Sequence, residues 1–186
     1  MRPWSHFYPD VLPLVAAGTP DPTVVHHIRR AAQEFCRCTR AWREALDPVM
    51  TAAQVLCYDL ELPPSAELVR MESATLGGHP LEVSRAGLAR GRYLSTPDGK
   101  QAVLSCAPCG AMPLVVECSL APGNAAIGIE DALFDRYAET IALGAVARLN
   151  GDDLKQARFE ARCDVIKTDL WRGLAATRPR TVPNYF

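Results

Sequence analysis

DPTVVHHIRRAAQEFCRCTRAWREAL, residues 21–46, is the stretch on which the reading of the fold turns. Asp21 stands as an N-cap with Pro22 at the first helical position, a strong start signal. Val24, Ile28, Ala31, Phe35 and Trp42 recur at helical spacing, and no Pro or Gly interrupts the run before Pro48. The spacing therefore predicts one long helix to Leu46. Its apolar stripe is worth on the order of 10 kcal/mol once buried, before chain entropy is counted. The opposite face carries Arg29, Arg30, Arg37, Arg40 and Arg43, more positive charge than solubility requires.

Outward from this helix, residues 1–20 are aromatic and Pro-rich and predict a short turn or arm covering part of the core. After Asp47-Pro48, alternation takes over. Leu56, Tyr58, Leu60 and Leu62 share one side of a predicted strand that Pro63-Pro64 stops. Val69 and Met71 begin a second alternating run, and Gly77-Gly78 turns it into Leu81 and Val83 as a hairpin. Pro97-Asp98-Gly99 marks a further turn. Val103–Cys106 and Leu114–Leu120 read as a strand pair joined through residues 107–113, and turns this short predict an antiparallel sheet.

Pro122-Gly123 closes the β section. Residues 129–149 read as a helix with acids in its first turn and Arg148 in its last, as the helix dipole favours. Asn150-Gly151 ends it. Asp152 or Asp153 starts another helix, to about Ala176, with Phe159, Cys163, Ile166, Leu170 and Leu174 as its stripe. The short loop makes these two helices antiparallel neighbours. The last residues, TRPRTVPNYF, contain two prolines and favour an extended path. Ordering such a segment costs about 10–20 kcal/mol of backbone entropy, so a partner is expected to hold it. The predicted class is α+β: a helical bundle from both chain ends, a small inserted antiparallel β domain and an extended C-terminal tail. The corresponding segments are 1–46, 47–127, 128–176 and 177–186.

At 186 residues with 48% hydrophobic residues, the chain fits one domain with a substantial core. Its net charge of −1 supplies no global attraction to nucleic acid or anionic lipid. Residues 1–20 hold no unbroken apolar run, so no signal peptide is expected, and no run is long enough for a membrane span. Seven cysteines, an odd number, then read as reduced thiols rather than a disulfide framework.

Candidate chemistry is sparse. Cys106-Ala107-Pro108-Cys109 has redox spacing, but it follows a strand in a loop with no helix after it, whereas a reactive thiol of that motif sits at a helix N-terminus. Cys36 and Cys38 fall two apart on a helix and point to different faces, as do His26 and His27, so neither pair chelates an ion easily. His6 and His79 are isolated, and the glycines lack a phosphate-loop context. Glu130, Asp131 and Asp135 read as dipole-matching acids at a helix start. No catalytic residue, metal ligand or cofactor is expected. The arginine face has three readings: a solvated face, a phosphate-contacting surface for DNA, or a subunit interface meeting Glu130, Asp131 and Asp135 on a neighbour. The interface is favoured because the tail too calls for a partner.

The segments FYPDVLPLV, GTPDP, HIRRAAQEFCRCTRAWRE, YDLELP, LSCAPCGAMPLVVECSLAP and YAETIALGAVARL together resemble head-to-tail adaptor proteins of tailed, chiefly short-tailed, bacteriophages. The resemblance spans residues 7–176 and is carried most specifically by AAQEFCRCTRAW and ETIALGAVARL. It implies a structural virion protein of the neck, assembled in the host cytoplasm and not an enzyme. Copies would form a ring, commonly of about twelve, between the portal and the nozzle or tail tube. Genomic DNA would pass through its channel without sequence recognition, and no membrane would be involved. The C-terminal segment would reach the portal, with Arg178, Arg180, Val182, Tyr185 and Phe186 as contacts, and most arginines would lie at interfaces rather than in the lumen. The thiols have no role in that picture. A DNA-binding module and a thiol oxidoreductase stand as the alternatives.

Overall fold

The computed structural model describes residues 1–84 and 91–177, with side chains described as far as Arg172. The chain opens on β1 (Arg2–Pro3), then coils through α1 (Tyr8–Val11) flanked by two 3-10 turns, Trp4–Phe7 and Leu12–Leu14. Trp4, Phe7 and Val11 are buried, and the Trp4 indole donates to the Ala126 carbonyl at 2.8 Å. The arm is thus part of the core. β1 pairs with β10 (Gly128–Ile129). A Cβ on Gly128 would lie 2.2 Å from the Arg2 carbonyl oxygen, so only glycine lets the two strands approach.

α2 runs Asp21–Thr39, with Pro20 rather than Asp21 in the cap position. Val24, Ile28, Ala31, Ala32, Phe35 and Cys36 are all fully buried at helical spacing. The helix stops seven residues before the predicted end. Arg40 adopts a left-handed conformation (φ 56°) and its N–H closes on Cys36 O at 2.9 Å. Thr39 helps: its hydroxyl donates to Phe35 O and accepts from Ala41 N. The chain then becomes β2 (Arg43–Ala45), and Trp42, which extended the apparent helical stripe, is buried from outside the helix.

β3 (Val49–Met50), β4 (Cys57–Asp59), β5 (Ala66–Leu76), β6 (His79–Val83), β7 (Tyr93–Ser95), β8 (Gln101–Leu104) and β9 (Pro113–Pro122) complete a sheet of eight strands. Its order is β2-β9-β5-β6-β7-β8-β4, with β3 following β2 along the same side of β9. The predicted Gly77-Gly78 hairpin joins β5 and β6. The predicted pairing of Val103–Cys106 with Leu114–Leu120 does not occur: β8 lies between β7 and β4, while β9 pairs with β5, β2 and β3. Nor is the sheet wholly antiparallel, since β6 and β7 run parallel.

The sheet curls, and chain length demands it. β3 and β4 lie at opposite ends of the strand order, a flat separation of roughly 29 Å at the usual strand spacing. Residues 51–56 join them and would reach only about 25 Å fully stretched. They are not stretched, because Val55 N donates back to Ala52 O. Thr51 N to Met112 O at 2.9 Å continues the β3–β9 ladder into this connection, and Leu104 N to Leu56 O at 2.8 Å continues the β4–β8 ladder from its other end. Leu76, Leu94, Ala102, Leu104, Leu114 and Val116 are buried along these strands.

α3 (Asp131–Asn150) and α4 (Asp153–Thr177) follow as a hairpin, with Gly151 in the left-handed cap position at φ 61°. α2 packs against α3, α4 and β9, which explains why β9 is buried from Cys118 to Pro122. One buried cluster runs from Trp4 through both helices and strands to Cys163. The architecture is therefore mixed α and β, with four α-helices and a large curled sheet among the described residues. It is not the expected helical bundle with a small inserted β domain. The helical reading extends over residues 40–46, of which Arg43–Ala45 form the edge strand β2. Adjacency along the chain predicts that neighbouring strands pair, whereas the curl lets short connections bridge strands several places apart. The expected extended tail lies outside the described residues from residue 178 onward.

Candidate assembly surface

The structure gives most of the charged residues singled out in the sequence partners within the chain. Arg37 meets Glu67 at 3.4 Å on the surface, a pair worth at most about 1 kcal/mol. Arg40 is different. Its side chain and that of Glu72 on β5 are only 10% and 11% exposed, and Nη1 lies 3.0 Å from both carboxylate oxygens. The Ser119 hydroxyl on β9 donates to Glu72 at 2.6 Å, and the Arg40 guanidinium carbon sits 3.9 Å from the centre of the Trp171 ring on α4. Burial pulls Arg40 below the usual arginine range while Glu72 works against that shift. This network links the end of α2, two strands and the far end of α4.

Arg43 donates from Nε to the Arg40 carbonyl. Arg30 is exposed and reaches Gln33 at 3.5 Å. Arg29 is half-buried, and its Nε finds no hydrogen-bond acceptor among the described residues. Glu130 caps α3, accepting from Leu133 N at 3.0 Å. Asp131 pairs with the Met1 amine at 3.0 Å and with Arg2 at 3.5 Å, and Asp135 lies 3.8 Å from Arg2. Arg43 and Glu130 do come together, lining one groove with Glu44, Arg136 and Leu170. Portal-contact candidates Arg178, Arg180, Val182, Tyr185 and Phe186 lie outside the described residues.

Periodicity alone did not mark Glu34 and Arg148, which pair between α2 and α3. His27 sits beside them, and burial first, then His26 and Arg148, hold its imidazole below the ordinary histidine value. The His26 and His27 rings stack edge-on at 5.4 Å.

The cysteines divide by environment. Cys36, Cys118 and Cys163 are buried. Burial drives the Cys36 thiol far upward and pushes Cys118 and Cys163 up to about 12, so all three stay protonated at neutral pH. Cys38, Cys57, Cys106 and Cys109 are exposed free thiols. Cys106 and Cys109 line a pocket of about 40 Å³ in the β8–β9 connection, with room for little beyond water. That connection runs straight into β9, so no helix begins at either thiol. Among the described residues no group of three or more His, Cys, Asp or Glu is placed to hold a metal, and no helix is long and apolar enough to cross a membrane.

Exposed large apolar side chains lie singly or in pairs at Met1, at Leu12 and Leu14 and at Ile127, and in two longer stretches. One is α4, where Leu154 and Val165 are 64% and 61% exposed. Among its described side chains only Phe159 and Cys163 are buried. The other is the stretch between β3 and β4, with Met50, Val55 and Leu56 exposed. No protein-family model matches the chain, and no curated protein matches it.

Proposed function

We propose that the chain is a ring-forming structural subunit, a head-to-tail adaptor that sits between a phage portal and the tail and encloses part of the DNA channel. The observation that carries the reading is α4. It is a 25-residue helix attached to the body by a narrow stripe, with Leu154, Val165 and Trp171 at the surface. Apolar residues on the outer face of a helix are costly in water and are accounted for when neighbouring chains cover them. The separate exposed set at Met50, Val55 and Leu56 gives a second surface for the layer above or below. The resemblance of AAQEFCRCTRAW and ETIALGAVARL to phage adaptors supplies the class of assembly. On this reading the protein is a virion component whose work is positional, and Arg40, Glu72 and Trp171 hold the helices at a fixed angle to the sheet.

The test is electron microscopy and native mass spectrometry of the full chain, alone and mixed with a phage portal protein from the same source. Closed rings seated on the portal are expected. A chain that stays monomeric and is not retained by the portal overturns the proposal.

A further inference from the structure

α4 carries a second stripe. Leu154, Ala157, Ala161, Val165 and Thr168 follow one another at steps of three, four, four and three residues, and all five are exposed. Helical geometry puts them on one line, opposite the inward stripe of Phe159, Cys163 and Ile166. The two alanines in the middle leave room for a second helix to approach closely. The charges beside this line are sorted by side. Lys155, Arg158 and Arg162 fall along one flank; Asp153, Glu160 and Asp164 fall along the other. All of these except Lys155 are exposed. Lys155 reaches Asp152 at 3.4 Å, and Glu160 accepts from Gln156. Near the helix's end the pattern is broken, by Asp169 on the basic side, Lys167 on the acidic side and exposed Arg172 on the line itself.

We infer that this outer face of α4 is a seam for a second copy of the same chain, with the two α4 helices running parallel. The inference rests on the ring reading above and names the partner of its exposed helix. The argument for a second copy is that the two flanks complement each other: what one side of the helix lacks, the other side of the same helix supplies. The argument for parallel helices is also electrostatic. When two identical helices pack side by side in the same direction, the basic flank of one meets the acidic flank of the next. When they pack antiparallel, basic meets basic and acidic meets acidic, which repels. Parallel packing relates copies by rotation about an axis along the helices, the arrangement a cyclic assembly uses.

Two charge-swapped chains test the seam. Arg158→Glu with Arg162→Glu makes both flanks acidic; Glu160→Lys with Asp164→Lys makes both basic. All four positions are exposed, so each variant keeps its fold, as circular dichroism and a thermal melt check. Wild type, each variant and their equimolar mixture are compared by sedimentation velocity and native mass spectrometry, with and without the portal. Wild type is expected to assemble, each variant alone to be lost to monomer, and the mixture to recover assemblies that alternate the two chains. Variants that assemble like wild type, a mixture that stays monomeric, or a wild type monomeric in both conditions overturns the seam. Rings indifferent to the swaps sink the seam and leave the ring reading standing. Pairs that respond to the swaps but never close into rings do the reverse.

Discussion

At the scale of single residues, the Arg40–Glu72 pair sets the terms for the helix–sheet junction. A non-glycine residue in the left-handed region costs about 1–2 kcal/mol, and Arg40 is held there by a nearly buried ion pair and a hydrogen-bonded Ser119. Removing one partner leaves the other charge desolvated and alone, which costs about 3–5 kcal/mol in comparable sites. Glu72→Ala is therefore expected to lower unfolding free energy in urea by about 3 kcal/mol. The double change Arg40→Met with Glu72→Leu, which removes both charges and keeps their volume, is expected to lose far less. Equal losses in the single and double variants would show that packing, rather than charge pairing, dominates the site. Gly144 offers a steric counterpart on the other side of the core. A Cβ there would come within 2.8 Å of the Phe159 ring, so Gly144→Ala forces α3 and α4 apart. An overpacking loss of about 1–3 kcal/mol is expected from the same urea titration.

At the scale of elements, the junction of α2 and α3 joins His27, Glu34, Arg30 and Arg148, and it yields a pH dependence of definite sign. His27 has a folded value below its ordinary 6.5, because burial and the positive charge of Arg148 disfavour the imidazolium. The unfolded chain therefore binds the proton more readily than the folded one. Stability is full above about pH 6.5 and is lost as pH falls through the lowered folded value. His27→Gln is expected to flatten that part of the stability curve, measured as urea midpoint against pH; an unchanged slope would assign the proton uptake elsewhere. The elements themselves were unequally legible in the sequence. α3 and α4 carry acids at their starts and a glycine between them, and the structure ends each within two residues of the predicted limits at the loop. α2 overran because Trp42 continued the spacing while its real stop, a left-handed arginine after Thr39, leaves no glycine to read. The charged candidates were visible as residues, but their partners were not: Glu67, Glu72 and Arg2 are far from them in sequence and meet them only through the sheet and the N-terminal arm.

At the scale of the whole molecule, the curled sheet is the feature the sequence could least disclose. Strand pairing was inferred from adjacency along the chain, and the curl decouples the two by bringing β3, β4, β8 and β9 close through residues 51–56 and 105–112. Cooperativity across that curl can be read from the thiols, because they are spread over α2, β4, the β8–β9 connection, β9 and α4. Cys38, Cys57, Cys106 and Cys109 are exposed, while Cys36 lies on the buried side of α2, Cys118 on the helix-covered part of β9 and Cys163 on the buried side of α4. Alkylation of the reduced native chain is thus expected to add four labels quickly, and the remaining three only after denaturation. Buried thiols held at about 12 or above are also poor nucleophiles at neutral pH, which widens the contrast. Since helices and sheet share one core, the three slow sites should become reactive at a single urea concentration, followed by intact mass. Exposure of Cys163 well before Cys36 and Cys118 would mean that α4 detaches on its own, and that the helix is secured in the assembled state by a neighbour more than by its own chain.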